Sequence, residues 1–514
     1  MKTILTIFFI FSSMLLFAQP GTLDQTFGNG GMVITPFGNC VKAHAIAMGA
    51  DGKIVVAGSY RTDSTTYRKN LILLRYNSEG GLDNTFGSDG IVTADLGDIE
   101  EGNAVLVQHD GKIVVVGSTD NWTNYYNVIL VRYTEDGLLD STFDSDGIAE
   151  VSLANEDDRA MGAALQADGK IVVVGSISFN VNHLDYFISR FNGNGSLDSL
   201  FGSNGFVQVD YDNENQEGES ITIQADGKIL AGGYSNQSMV ANFMIARFTS
   251  QGIPDSTFGI NGKSLTDLGG DDRAYSMTVQ PDGKILQNGY TFANYTTDVS
   301  LMRYNSDGTP DYSFGTSGIV ITDVSGFEDY SRSIALQTDG KILLSGSSRF
   351  NTSTDFTLLR YNTDGTTDST FDEDGIVITN FGGASANAFA SVLQQNQKII
   401  LAGASDLSIA LAQYQLDVAT GMVDFSVIQG SELIYPNPVT TQAVLEYKVM
   451  QDEAITINMY DLNGRLVQVF FEKQNKLKGT HQEVLKISKS LAPGNYVVQV
   501  SNGSESTQIQ IVKE

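Results

Sequence analysis

One phrase written seven times constrains this chain more than any other feature. An Asp within an LDxTFG-like phrase recurs at Asp24, Asp83, Asp140, Asp198, Asp255, Asp311 and Asp368, with an aromatic three residues on at Phe27, Phe86, Phe143, Phe201, Phe258, Phe314 and Phe371. The intervals between those phenylalanines are 59, 57, 58, 57, 56 and 57 residues. Asp-Gly-Lys starts at Asp51, Asp110, Asp168, Asp226, Asp282 and Asp339, and drifts to Asn396-Gln397-Lys398 in the seventh copy. Arg followed by Tyr or Phe ends each unit at Arg75, Arg132, Arg190, Arg247, Arg303 and Arg360, with Gln413-Tyr414 in the seventh. Such a period makes each unit one supersecondary element whose apolar faces are buried by its neighbours.

The sixth unit shows the local pattern. Ile319 to Thr322 is a short β-branched run, Ser333 to Gln337 a second strand, Lys341 to Ser345 a third and Phe356 to Tyr361 a fourth. Asp339-Gly340 makes a hairpin turn, since Gly accepts positive φ and Asp tolerates it. The third run is nearly all apolar, as in a strand covered on both faces. No unit offers an amphipathic helix. Four strands per unit and seven units predict an all-β fold, a seven-bladed β-propeller. A parallel β-helix is the rival, with coils usually much shorter than this period. Cut before the first strand, the blades are each continuous. Cut before the second, Met32 to Thr35 joins strands near 390–414; this arrangement is favoured because it ties the two ends together. Residues 23 to 414 resemble the delta-60 repeat family of bacterial β-propellers, on phrases such as Leu82-Asp83-Asn84-Thr85-Phe86-Gly87 and the run from Asp110 to Gly117. The resemblance implies a fold and little about activity.

In a meander, successive connections alternate between two faces. The Asp-Gly-Lys turns and the LDxTFG connections share one; being near-identical, they read as structural. The other face carries the loops that differ, rich in aromatics and acids. Loops on a rigid scaffold are where binding usually resides, and rings beside carboxylates suit a sugar, a polyol or a basic peptide. The candidate ligand-binding residues are Trp122, Tyr125, Tyr126, Tyr186, Tyr295, Asp157, Asp158, Asp271 and Asp272.

Formal charge is −29, and 51 of the 60 acids but only 23 of the 31 bases precede residue 431. Such a surface repels phosphate backbones, so no nucleic-acid partner is expected. The single cysteine, Cys40, excludes an intrachain disulfide framework. The four histidines, His44, His109, His183 and His481, suggest no shared metal site, and there is no H-E-x-x-H, Walker phrase or nucleophile elbow. The expectation is a binding protein with no catalytic residues, cofactor or assigned metal. Two readings stand beside it. Asp144-x-Asp146 and Asp372-x-Asp374 cluster oxygen ligands for calcium without EF-hand spacing, and the many acids leave room for the carboxylate pair of a glycoside hydrolase. A purely structural surface or matrix component is a third role.

Lys2, the apolar run Thr3 to Phe17 and Ala18 read as a signal peptide over 1–18, with a buried N-terminal strand as the alternative; no later stretch reads as a membrane span. The propeller is assigned to 19–425 and a linker to 426–434. Residues 435–514 carry short strands from Ala443, Ile455, Arg465, Val484, Asn495 and Thr507, a small Ig-like β-sandwich. This segment resembles the type A C-terminal sorting domain of the type IX secretion system, through Tyr435-Pro436-Asn437-Pro438, Tyr460 to Arg465 with Gly464, Leu491 to Tyr496 with Gly494, and the terminal Ile511-Val512-Lys513. The resemblance implies recognition by the translocon and delivery, through the periplasm, to the outer cell surface or the medium. The ligand is expected to be a glycan or a protein.

Overall fold

The computed structural model describes residues 19–61, 68–97, 99–120, 125–153, 157–180, 183–210, 214–237, 240–383, 385–394, 396–417, 433–435, 439–449, 452–461, 465–488, 491–492, 494–502 and 506–513. The signal segment 1–18, Trp122, Pro436, Asn437, Pro438 and Gly464 lie outside them. Among the described residues there is no α-helix, and no helix long and apolar enough to cross a membrane. Ala18–Ala419 forms one compact unit; the residues from Thr420 onward belong to another.

The first unit is a ring of seven four-stranded antiparallel blades. The innermost strands are Asn39–Met48, Ile99–Val107, Asp158–Leu165, Asn215–Ile223, Asp271–Val279, Asp329–Leu336 and Ala386–Gln394, numbered blades 1 to 7. They stand side by side around a central channel, the seventh against the first. Each blade continues outward through three further strands, as in blade 5 with Ile285–Ala293, Thr296–Tyr304 and Ile319–Thr322. Blade 7 is closed by the start of the chain: Met32–Pro36 pairs antiparallel with Ser408–Gln415, Met32 opposite Ala412 and Pro36 opposite Ser408. The second way of cutting the ring is therefore the one adopted.

The core lies between blades. Leu71, Leu73 and Phe86 of blade 1 pack with Ile113, Val115, Ile129 and Val131 of blade 2. This explains the continuous apolar runs of the second and third strands, which are covered on both faces. The Asp-Gly-Lys turn differs in detail from the expected dipeptide turn. Gly111 alone takes positive φ, while Gln108 receives the Gly111 N–H and donates to Lys112 O, giving a three-residue loop. Asp110 instead caps the loop, its Oδ1 accepting the Lys112 N–H at 3.3 Å.

Every innermost strand contains a bulge, and every second strand a glycine facing it. A methyl at Gly58, Gly117, Gly175, Gly233, Gly289, Gly346 or Gly403 would overlap a backbone carbonyl oxygen, those of Lys42, Glu101, Arg159, Glu217, Arg273, Tyr330 and Asn387 respectively. The glycine closing each V-V-V-G-like run is thus fixed by a close backbone approach, and the extra residue it admits is presented to the channel.

In the C-terminal unit, Leu433–Tyr435, Gln442–Val449 and Gly479–Lys486 form one sheet, and Leu466–Lys476, Glu453–Asp461, Gly494–Ser501 and Ser506–Lys513 the other. Leu445, Tyr447, Ile457, Met459, Val498 and Ile511 fill the space between them. Tyr496 donates from its hydroxyl to Ala492 O at 2.8 Å, and Lys513 is buried at the end of the last strand.

Candidate functional site

The face of near-identical phrases is a staple between blades. Arg303 donates from Nε to Asp311 at 2.7 Å, and Lys284 reaches the same carboxylate at 2.9 Å. The Arg303 guanidinium also lies 4.3 Å from the centroid of the Phe314 ring and donates to Thr363 O of the next blade. Gly365 of that blade sits against the same ring, where a Cβ would come within 2.9 Å. The Arg–Asp–Lys arrangement recurs at Arg75, Arg132, Arg190, Arg247 and Arg360, and Lys398 with Asp24 serves blade 7. Burial raises the Asp83 carboxyl, but bonds from Thr85 and Lys53, with Arg75 beside it, hold it well below the usual range. A hollow of about 410 Å³ between the turns of blades 1 and 2 is lined by this same frame, together with His109.

On the opposite face the structure divides the predicted binders. Tyr295, 96% exposed, and Tyr125, 43% exposed, stand on the surface. Tyr126 lies under Arg159, whose guanidinium is 4.0 Å from its ring centroid. Three assignments are corrected. Tyr186 is fully buried between blades 3 and 4, where it packs with Val174, Ile188 and Phe201. Asp158 and Asp272 are fully buried loop anchors, accepting the backbone N–H groups of Leu153 and Leu268 at 2.6 Å each. Burial pushes the Asp272 carboxyl up to about 6. Asp157 and Asp271 each give one oxygen to the preceding blade, accepting from Tyr126 N–H at 3.0 Å and Ala241 N–H at 2.9 Å. Asn215 does the same for Leu184 at 2.9 Å, so this acidic position is largely a joint between blades.

The calcium-like phrases act in turns: Asp146 and Asp374 accept the N–H groups of Ile148 and Ile376 at 2.9 Å. Elsewhere Asp298, Asp323 and Asp329 bring carboxylate oxygens within 4.8 Å of one another. Two of them hold backbone: Asp329 accepts from Val324 and Ser325, and Asp323 from Gly326.

The sequence pattern concealed a further site. The channel-lining residue of each bulge is His44, Asn103, Met161, Glu219, Tyr275, Arg332 and Phe389 in blades 1 to 7, and all seven border one cavity of about 330 Å³. Where the staple repeats one chemistry, this ring uses seven different side chains at a single repeat position. Two residues upstream stand Lys42, Glu101, Arg159, Glu217 and Arg273, alternating in sign, then Tyr330 and Asn387. Blades 4 to 6 supply an aromatic row. Tyr234 is 6.4 Å from Tyr275, Tyr275 5.8 Å from Tyr290, and Tyr290 5.1 Å from Tyr330, centroid to centroid. Arg332 stacks on Tyr275 at 3.8 Å. Burial, then the charge of Glu217, push the Glu219 carboxyl up to about 8 against the pull of Arg332 and Arg273. Burial likewise lowers the His44 imidazole to about 4. The signal that finds this ring is alignment of the units on Asp-Gly-Lys, since each of these residues lies seven positions before that phrase.

Ring and sandwich together define the class: a β-propeller exported with a C-terminal sorting domain. Residues 49–86, 108–143, 166–201, 224–258, 280–314 and 337–371 match the family described as Domain of unknown function (DUF5122) beta-propeller. Residues 433–514 match the Secretion system C-terminal sorting domain. The chain carries six recognisable repeats of that propeller family and the sorting domain of proteins sent by type IX secretion to the cell surface or medium. No curated protein matches the chain. Among solved structures it is similar to PorZ, an essential bacterial surface component of the type IX secretion system of Porphyromonas gingivalis, at 12% identity and a TM-score of 0.39. That match covers 93% of this chain, which spans 60% of PorZ. It is also similar to a polysaccharide lyase of family PL25, an ulvan lyase, at 12% identity and a TM-score of 0.42 over 75% of this chain and 96% of the lyase. A third likeness is to Sqt1 from Chaetomium thermophilum, at 12% identity and a TM-score of 0.40 over 74% and 100% of the two chains.

Proposed function

We propose that the propeller is a non-enzymatic binding module, carried to the cell surface or medium by its sorting domain, and that its ligand enters the central channel. The observation that carries this is internal to the sequence. Staple and bulge glycine recur from blade to blade, whereas the channel position holds His, Asn, Met, Glu, Tyr, Arg and Phe in turn. A scaffold needs the same residue in each unit; a ring reading an asymmetric ligand needs different ones. Aromatic faces beside hydrogen-bonding groups suit a glycan. The test is a glycan array probed with the full-length exported protein. Binding that Tyr275→Ala abolishes and that survives Tyr295→Ala supports the channel; binding insensitive to Tyr275→Ala contradicts it.

Glu219 favours one second reading. A carboxyl that keeps its proton at neutral pH, on the same strand as Glu217, has the character of an acid catalyst, so a glycan-active hydrolase is the alternative. New reducing ends from a polysaccharide, lost in Glu219→Gln, would select it.

A further inference from the structure

We propose that the channel ring takes one acidic sugar residue, a uronate, whose carboxylate is held by the Arg332 guanidinium. This rests on the channel being the binding site and goes on to name the chemical class of ligand.

Arg332 is set apart from the other arginines of the propeller. Those ending the repeat units are committed to aspartates, and Arg159 and Arg273 lie 3.8 and 3.5 Å from Asp157 and Asp271. Among the described residues Arg332 has neither an ion pair nor a hydrogen-bond acceptor. Its guanidinium is instead held by rings, 3.8 Å from the centroid of Tyr275 and 5.6 Å from that of Tyr330. Stacking fixes the plane of a guanidinium and leaves its N–H groups, which lie in that plane, to form a fork for an oxyanion. The carboxyl facing it from blade 4 does little to neutralise it. Glu219 is pushed up to about 8, so near pH 7 it is mostly uncharged. A ligand carboxylate would supply the missing counter-charge.

The rest of the ring matches a sugar better than an acidic peptide. It offers one cation, four groups suited to hydroxyls and two apolar side chains. His44 is uncharged at neutral pH, its imidazole lowered to about 4. Asn103 gives its amide nitrogen to Ala160 O at 2.9 Å, leaving its carbonyl oxygen as an acceptor. Protonated Glu219 and the Tyr275 hydroxyl both donate and accept. Met161 and Phe389 present apolar surface for the C–H face of a pyranose. A single cation asks for a single acid group, and the acidic surface of the propeller, with net charge −29 for the chain, opposes a long polyanion. The expected ligand is therefore a terminal uronate entering end-on.

The experiment is isothermal titration of the full-length protein at about 0.15 M salt, where exposed charges more than about 8 Å apart are largely screened from one another. The probes are a trisaccharide of galacturonic acid, the same sugar with its carboxyls reduced, and triglutamate. The uronate should bind, with affinity falling about 10- to 100-fold on carboxyl reduction, the usual range for losing a charge-assisted bond. Arg332→Gln should lose as much at an unchanged melting temperature, and Arg332→Lys should lose less. Equal binding of the reduced sugar overturns the uronate assignment and leaves the channel reading intact. Undiminished uronate binding by Arg332→Gln, or equal binding of triglutamate, overturns it too. No binding of either sugar, joined by an array without signal, removes both readings. The comparison of acid and reduced sugar uses wild-type protein, so it does not depend on how a variant folds.

Discussion

At the scale of single residues, chemistry that repeats and chemistry that varies have different tasks. Gly289 shows the first: its α-carbon lies against the Arg273 carbonyl oxygen, leaving no room for a methyl. Gly289→Ala should destabilise the propeller by about 3 kcal/mol or more, at the upper end for overpacking, measurable by urea unfolding of the purified protein. Glu219 shows the second. Its folded pKa of about 8 lies above the usual 4.5, so between those values the folded state keeps a proton that the unfolded chain has lost. Stability then falls as pH rises through that window. Glu219→Gln cannot ionise, so its stability relative to wild type should increase from pH 5 to pH 8 and level off above. A difference independent of pH would show that Glu219 is not a buried acid. The staple residues were legible because each appears in six or seven copies. The ring was not, because no two of its members are alike, and Arg332 and Tyr275 look like ordinary strand residues until the units are aligned on Asp-Gly-Lys.

At the scale of elements, the sequence revealed strands more readily than it revealed what their ends do. The four runs of each unit were visible because the middle two are apolar on both faces. Asp158 and Asp272 were read as ligand acids because they sit in variable acidic loops. In the fold they turn inward to cap backbone N–H groups, a role that depends on a chain reversal no local pattern encodes. Tyr186 was misplaced for a related reason: its strand extends further toward the loop face than its apolar run suggests, from His183 to Phe191, which places this tyrosine between blades. The closing strand Met32–Pro36 completes blade 7. Deleting residues 19–36 removes it with Phe27 and Asp24, and exposes the edge of Ser408–Gln415. The truncated protein should melt lower and self-associate through that edge, seen as a larger species in light scattering; a monomer with wild-type melting would contradict this closure.

At the scale of the whole molecule, two units divide two tasks. The sandwich from Leu433 to Lys513 is the part that matches a sorting domain. Removing residues 433–514 should leave the propeller in the periplasm, detected by cell fractionation, and undiminished export would contradict the assignment. Its motif residues Tyr435, Gly494, Tyr496 and Lys513 lie in or at the ends of strands, which is why a linear motif could mark them. The propeller's task lies in the ring. The most direct measurement is an alanine scan of all seven ring positions, His44, Asn103, Met161, Glu219, Tyr275, Arg332 and Phe389, in the full-length protein, reading ligand affinity beside melting temperature. Losses concentrated at Glu219, Tyr275 and Arg332, with melting little changed at Tyr275 and Arg332, are the predicted result. Seven variants that bind as wild type does, with affinity lost only on changing Tyr125 or Tyr295, would place the ligand on the outer loops and contradict a channel site.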